Sequence, residues 1–379
     1  MNSSAGGTNQ PQRVEALDSA RGWAILGVMA IHVSQAAPLP QGILQLLAIN
    51  GDMGVELFYV LSAFSLTMML HARAIAGQHS LSGYFMRRFF RIAPMFWFAL
   101  VLAVLIFFGK ASFWAPDGIS AMDVFLTSLF LHGIHPESIN AVIPGGWSVA
   151  VEAMFYLILP VIYRYSRTTF LALMWLLISA GVYFLFGSVA QAYFDQHLPA
   201  NATHLSEIYS WYMSLPAQLP VFMMGIIAFM AIQEERCKPA HAYAVACVGA
   251  LLLLSMPISA DNHMLPRHIM WGGVFAMFII GNVQKPFFLF DNPLLRILGR
   301  ISYSAYLLHF FVLIYVGKIF RHLTIPAELK FALLYFVVVG ITYFLASWSY
   351  RTIELPGMRI GSELSRRFEW DDKKVTYGK

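Results

Sequence analysis

Charge is scarce in this chain: Asp, Glu, Lys and Arg make up 12% of it, against 58% for the hydrophobic residues. A soluble domain needs roughly a quarter of its residues charged, so a water-soluble globular protein is excluded. Cysteine is scarcer still, with 2 in 379 residues. Cys237 falls in a short loop and Cys247 in an apolar run, which excludes a disulfide framework. No Cys or His pair has metal-ligand spacing, so no metal is expected. There is no repeat with a period of about 20–50 residues, no low-complexity tract and no polar stretch long enough for a second, soluble domain.

Long apolar runs, with 31 Phe, 19 Met and 9 Trp, fill that space. A hydrocarbon core of about 30 Å is crossed by about 20 apolar helical residues. On that measure ten spans can be drawn, at 22–38, 53–70, 92–108, 147–163, 170–187, 217–233, 242–258, 268–283, 301–320 and 329–350. The fold class expected is an all-α polytopic membrane protein. Residues 119–131 are apolar but too short to cross, and suit an interfacial or re-entrant helix. With ten spans and a cytoplasmic N-terminus, twenty Lys and Arg fall inside and five outside, as the positive-inside rule asks. Counting 119–131 as a span would put the cations from Arg351 onward outside. Both termini are therefore expected in the cytoplasm. The net charge of +5 reflects this orientation and gives no reason to expect nucleic acid as a partner. No signal-peptide pattern opens the chain. The expected organisation is a cytoplasmic tail over 1–16, a membrane domain over 17–356 and a basic cytoplasmic tail over 357–379.

Ionisable side chains at membrane depth cost several kcal/mol unless they face a cavity or a partner, which makes each a candidate for function. His32, ten residues into the first drawn span, lies about 15 Å deep, near the midplane. His309 sits at similar depth in the ninth span, and Glu56 and Glu152 lie near the outer ends of the second and fourth. The plain reading of each is a hydrogen-bonded packing residue or a carboxylate reaching the interface. The run Arg87-Arg88-Phe89-Phe90-Arg91 stands at the inner mouth of the third span. Such cations set topology and bind lipid phosphates. Arg88 and Arg91 also share a helical face, where two guanidinium forks could grip a phosphorylated ligand, with Arg21 on the same side of the membrane.

The local sequences resemble the membrane-bound acyltransferases of acyltransferase family 3. Leu17-Asp18-Ser19-Ala20-Arg21-Gly22, with His32 after ten intervening residues, is similar to the family's LDxxRG start and its R-x10-H motif. Gly54 to Ser62 resembles GVxLFFVLSGF, and Arg88-Phe89-Phe90-Arg91 with Pro94 resembles RxxR and its proline. Trp147-Ser148-Val149-Ala150-Val151-Glu152 resembles WSLxVE, while Ser302-Tyr303 through His309 resembles LSYxxYLxH. Tyr350-Arg351-Thr352-Ile353-Glu354-Leu355-Pro356 closes the series. Six motifs in order across nearly the whole chain make the match specific. Ala63 and Ala153 depart from it, standing where Gly and a second acidic residue are frequent.

The resemblance implies transfer of an acyl group, most often acetyl, from cytoplasmic acyl-CoA to a hydroxyl of a surface or exported carbohydrate or glycolipid. Acetyl-CoA is then a co-substrate, with no permanently bound cofactor. Arg88, Arg91 and Arg21 would hold its phosphates by charge-assisted hydrogen bonds. His32 would be the general base, with Glu152 or Glu56 orienting it or the acceptor; a transient acyl-histidine is the competing route. Trp147, Ser148, Tyr303 and His309 are assigned to the pocket. Asp18 could clamp Arg21, and Arg351 and Glu354 are expected to pair as a structural element. The family and the CoA supply imply the bacterial inner membrane. A proton-coupled transporter would also place His and Glu within such a bundle.

Overall fold

The computed structural model describes residues 14–77, 80–256 and 266–377. The expected tail over 1–16 lies outside them except for its last three residues, as does the end of the seventh drawn span, at Ile258. The described chain is all-helical and contains no named β-strand, its only bridges being two isolated pairs, Phe108 with Ile119 and Ser112 with Ala115.

Each of the ten drawn segments falls on a helix: α1 (Glu15–Ala36), α3 (Gly54–Ile75), α4 (Leu81–Phe107), α6 (Gly146–Tyr165), α7 (Thr169–His197), α9 (Leu215–Gln233), α10 (Pro239–Ser255), α11 (Arg267–Gln284), α13 (Ser302–Arg321) and α14 (Ala327–Ser349). Shorter helices lie between them: α2 (Ile43–Ile49), α5 (Ala121–Ser128), α8 (His204–Ile208) and α12 (Pro293–Arg300). Among the described residues, 7 helical stretches are long and apolar enough to cross a membrane: Ile43–Ile75, Leu81–Phe107, Gly146–Tyr165, Thr169–His197, His204–Gln233, Ser302–Arg321 and Ala327–Arg367. The protein is an integral membrane protein on this evidence. Helix α1 falls short of the same criteria, carrying Glu15, Asp18 and Arg21 in its first two turns; α10 has only 17 residues, and α11, long enough at 18, carries Arg267, His268, Asn282 and Gln284. The short segment at 119–131 contains an 8-residue helix, α5, about 12 Å long and too short to cross. Residues 357–377 of the segment expected as a C-terminal tail are helical as well. A π-turn at Tyr350–Glu354 leads into α15 (Leu355–Tyr377), which packs along α4.

Helices α3 and α9 are innermost, with 67% of their apolar windows buried, whereas α7, at 22%, turns Leu177, Leu185 and Val189 outward toward lipid. Around α3 stand α1, α6, α9 and α11, and α13 packs on α1 and α14. Helix α12 lies against the start of α1 at backbone contact. A Cβ on Gly299 would collide with the Asp18 carbonyl, so only glycine allows this approach. Asp291 secures it: the carboxylate accepts both Nε and Nη2 of Arg296 at 2.7 Å and Ser19 Oγ at 2.6 Å. The Arg296 hydrogen bonds hold the Asp291 carboxyl below the ordinary carboxylate range.

Candidate active site

A cavity of about 470 Å³ opens between α1, α3, α4, α6, α13 and the π-turn. Helical spacing explains which side chains reach it, because residues three or four apart share a face. Thus α1 contributes Asp18 and Arg21, α3 Ser62 and Ser65, α4 Arg88 and Arg91, α6 Ser148, Glu152 and Tyr156, and α13 Tyr303 and Tyr306. Helix α3 serves as a ruler along it. Tyr59, at one end, donates to the Ser148 carbonyl at 3.2 Å; Ser62 reaches Glu152; Ser65 receives Arg21; and Met69, at the other end, touches Arg88. Tyr59 to Met69 spans about 15 Å along the helix.

The cationic end is partly neutralised. Arg21 Nη1 lies 3.2 Å from Asp18 Oδ1 and its Nη2 donates to Ser65 Oγ at 2.7 Å. Arg300 Nε is 3.9 Å from the other Asp18 oxygen. Arg91 pairs with Glu354, whose second oxygen accepts Ser304 Oγ at 2.7 Å, and its guanidinium lies over the Tyr303 ring at 5.4 Å. This corrects the expected Arg351–Glu354 pair: the π-turn turns Glu354 inward, 1% exposed, to Arg91, and leaves Arg351 exposed. Arg88 differs from its neighbours. Among the described residues no carboxylate pairs with it; its Nη2 meets only Met69 Sδ at 3.9 Å, and its buried Nε has no hydrogen-bond partner.

Midway along the cavity, Glu152 Oε1 accepts Ser62 Oγ at 2.5 Å and Tyr156 OH at 2.6 Å. At the far end Ser148 Oγ and Tyr306 OH stand 2.8 Å apart, while Tyr303, under Arg91 at the cationic end, donates its OH to the Ile92 carbonyl at 2.9 Å. The cavity therefore brings together Arg21, Arg88, Arg91, Glu152, Ser148, Tyr303, Asp18 and Glu354.

His32, His309, Glu56 and Trp147 do not line it. Helix α1 ends at Ala36, which puts His32 four residues from its end instead of at the middle of a span. Its Nδ1 faces Gln35 Oε1 at 3.1 Å, and its ring centroid is 5.4 Å from His309 and 4.4 Å from Phe310. An amide therefore stands beside His32 Nδ1, and neither Glu152 nor Glu56, expected to orient His32 or the acceptor, does. Glu152 is engaged by Ser62 and Tyr156, while Glu56 is wholly buried with Tyr212 and Gln218 beside its carboxyl group, neither of its oxygens meeting hydrogen-bond geometry. His309 Nδ1 lies 2.7 Å from the Tyr306 carbonyl, which fixes its proton there, and its buried Nε2 has no partner. Trp147 packs between Tyr59, edge to face, and Tyr212, at a tilt.

Sequence reasoning missed Gln35, Ser62, Ser65, Tyr156 and Tyr306. Each stands three or four positions from a residue it did single out or from another polar member of the same helix face, so a helical-face reading of α1, α3, α6 and α13 would have found them.

The sequence matches the acyltransferase domain family over residues 14–351. The chain belongs to that family and is an acyltransferase. It is 26% identical over 295 residues to ORF330 of Acidianus two-tailed virus, a provisionally named acetyltransferase, covering 76% of this chain and 80% of the viral one. It is 26% identical over 388 residues to a provisionally named O-acetyltransferase, SACOL0978, of Staphylococcus aureus (strain COL), covering 92% of this chain. It is also 24% identical over 384 residues to the O-acetyltransferase OatA of Staphylococcus aureus (strain NCTC 8325), covering 91%. The alignments span 58% and 57% of the length of those two staphylococcal proteins. No solved structure matches the chain.

Proposed function

We propose that this chain is a multi-pass O-acyltransferase of the bacterial inner membrane that carries an acyl group, acetyl in the simplest case, from cytoplasmic acyl-CoA to a hydroxyl of a carbohydrate or glycolipid. Ten spans with both termini in the cytoplasm give the orientation this requires. The observation that carries the reading is Arg88, a guanidinium without a carboxylate at the end of the cavity where Arg21 and Arg91 are already paired. A charge left unpaired in such a place is stabilised by an anionic ligand, and phosphate accepts a guanidinium fork well. The CoA phosphates lie on Arg88, with Arg21 and Arg91 beside it, and the pantetheine arm runs along α3 toward Ser148. His32 takes the proton of the acceptor hydroxyl. Gln35 Oε1, accepting from Nδ1–H, leaves Nε2 as the basic nitrogen.

The test is acetyl-CoA binding and turnover by the protein in nanodiscs. Arg88→Ala/Arg91→Ala should lose binding; His32→Ala should keep binding and lose turnover. Failure of a folded wild type to bind any acyl-CoA would overturn the reading and return the proton-coupled transporter. Protein label surviving denaturation after mixing with labelled acetyl-CoA, and absent in His32→Gln, would replace the general base by an acyl-histidine.

A further inference from the structure

Acyl transfer needs something that the residues so far assigned do not supply: a donor for the negative charge that grows on the carbonyl oxygen. Such donors are often the largest single contribution to acyl-transfer catalysis. Candidates must stand where the cavity meets the histidines. Tyr306 does: it lines the cavity, its ring centroid is 5.9 Å from His309, and it occupies the helical turn before that residue on α13.

Its hydroxyl is held in an unusual way. Tyr306 OH donates to the Gly145 carbonyl at 3.1 Å; Ser148 Oγ lies 3.0 Å from that same carbonyl and 2.8 Å from Tyr306 OH. Two hydroxyl protons thus reach one backbone oxygen, which is satisfied by either of them alone. When Ser148 donates to Tyr306, both protons are used. When Ser148 turns to Gly145 instead, that carbonyl stays satisfied and the Tyr306 O–H is released to point into the cavity. With the thioester carbonyl accepting the released O–H, the exchange leaves no buried donor without a partner and so carries little of the usual desolvation cost. Gly145 is the left-handed cap, φ 76°, that begins α6, and the positive end of that helix dipole favours an anion at the same place.

We infer that Tyr306 donates its hydroxyl hydrogen to the thioester carbonyl oxygen, with Ser148 as the residue that releases it by taking over Gly145. This rests on the acyl-CoA reading above. The acceptor oxygen forms the new C–O bond at the carbonyl carbon, and the C=O π pair moves onto the oxygen held by Tyr306. The acceptor's proton passes to His32 Nε2. Collapse re-forms C=O and breaks C–S, and the departing thiolate takes the proton from His32.

The first readout needs binding alone. With [1-13C]acetyl-CoA bound to the nanodisc protein, the isotope-edited thioester carbonyl stretch should lie lower in wild type than in Tyr306→Phe, since a hydrogen bond weakens the C=O bond. The second is turnover. Tyr306→Phe should lower kcat about 10²-fold with acetyl-CoA Kd within about twofold, the pattern of an interaction made in the transition state. Ser148→Ala should also lower kcat, because Tyr306 then stays on Gly145. Equal carbonyl frequencies, an unchanged kcat, or faster release of CoA from Tyr306→Phe would overturn the assignment, the last by making Tyr306 a seal between cavity and histidines. Absence of acetyl-CoA binding by wild type would instead bring down the donor reading itself. Tyr306→Phe keeps the ring and leaves Gly145 to Ser148, so its thermal stability should match wild type.

Discussion

The two ends of the transfer path are built on different physics. At the arginine end, charge is abundant and partly cancelled: Arg21 and Arg300 share Asp18, Arg91 has Glu354, and among the described residues no carboxylate pairs with Arg88. At the histidine end, among the described residues, no carboxylate pairs with either imidazole. His32 meets an amide, His309 meets a backbone carbonyl, and both rings pack on Phe310. The first arrangement suits holding a charged ligand without leaving several bare cations in a low-dielectric site. The second suits keeping two imidazoles neutral and each protonated on Nδ1, ready to accept a proton. On the proposed function, binding and chemistry are separable by residue.

The comparison is broken most sharply at its two extremes. His32→Ala should cut turnover by about 10²-fold or more while acetyl-CoA Kd stays within about twofold, as expected for loss of a general base. Arg88→Ala should do the reverse, weakening Kd about tenfold or more through loss of a charge-assisted hydrogen bond. Parallel titration and turnover of the two proteins would check this, and equal losses in both would erase the division. Arg91→Ala leaves Glu354 buried without its cation and should destabilise the protein by about 3 kcal/mol. Its melting temperature should fall well below that of Arg88→Ala, and Arg91→Ala/Glu354→Gln should recover part of the loss. A smaller effect is expected of Gln35→Leu, which removes the group that orients His32: kcat should drop about tenfold, with acetyl-CoA binding and thermal stability unchanged.

The smallest effect lies outside the spans. His132, on the 3₁₀ turn Leu131–Ile134, stacks on Phe96 and places Nε2 3.2 Å from the Gly146 carbonyl. Burial pushes its pKa down from 6.5 to about 4. The unfolded chain therefore binds this proton first as pH falls. The contribution of neutral His132 is fully present above pH 6.5, declines as pH drops through the interval to about 4, and changes no further below it. Melting curves of wild type should lose more stability over that interval than those of His132→Phe; parallel curves would show that this histidine does not stay neutral in the fold.

Most of the helices were legible in the sequence because their signal is local. An apolar run of about 20 residues bounded by Pro, Gly or charge can be read without knowing its neighbours, and each of the ten drawn segments lies on a helix. Where reading failed, neighbours decided. Glu354 is three residues from Arg351 in sequence, yet a π-turn directs it to Arg91, 263 positions away. His32 looked mid-span because its run was counted from Gly22, whereas α1 begins at Glu15: the close approach of Gly299 and the Ser19–Asp291 bond let its polar first turns pack as helix.

The sequence by itself determined that the protein is helical and bound to lipid, which family it belongs to, and which residue types stand in its motifs, because composition, hydropathy and local motifs depend on residues close in the chain. Only the tertiary structure decided which arginine is left unpaired, that Glu152 is held by Ser62 and Tyr156, that His32 faces Gln35 and His309 in place of a carboxylate, and that Tyr306 stands between the cavity and the histidines. Those are contacts between helices, set by backbone approach and the need to satisfy every buried polar group, and no local pattern encodes them.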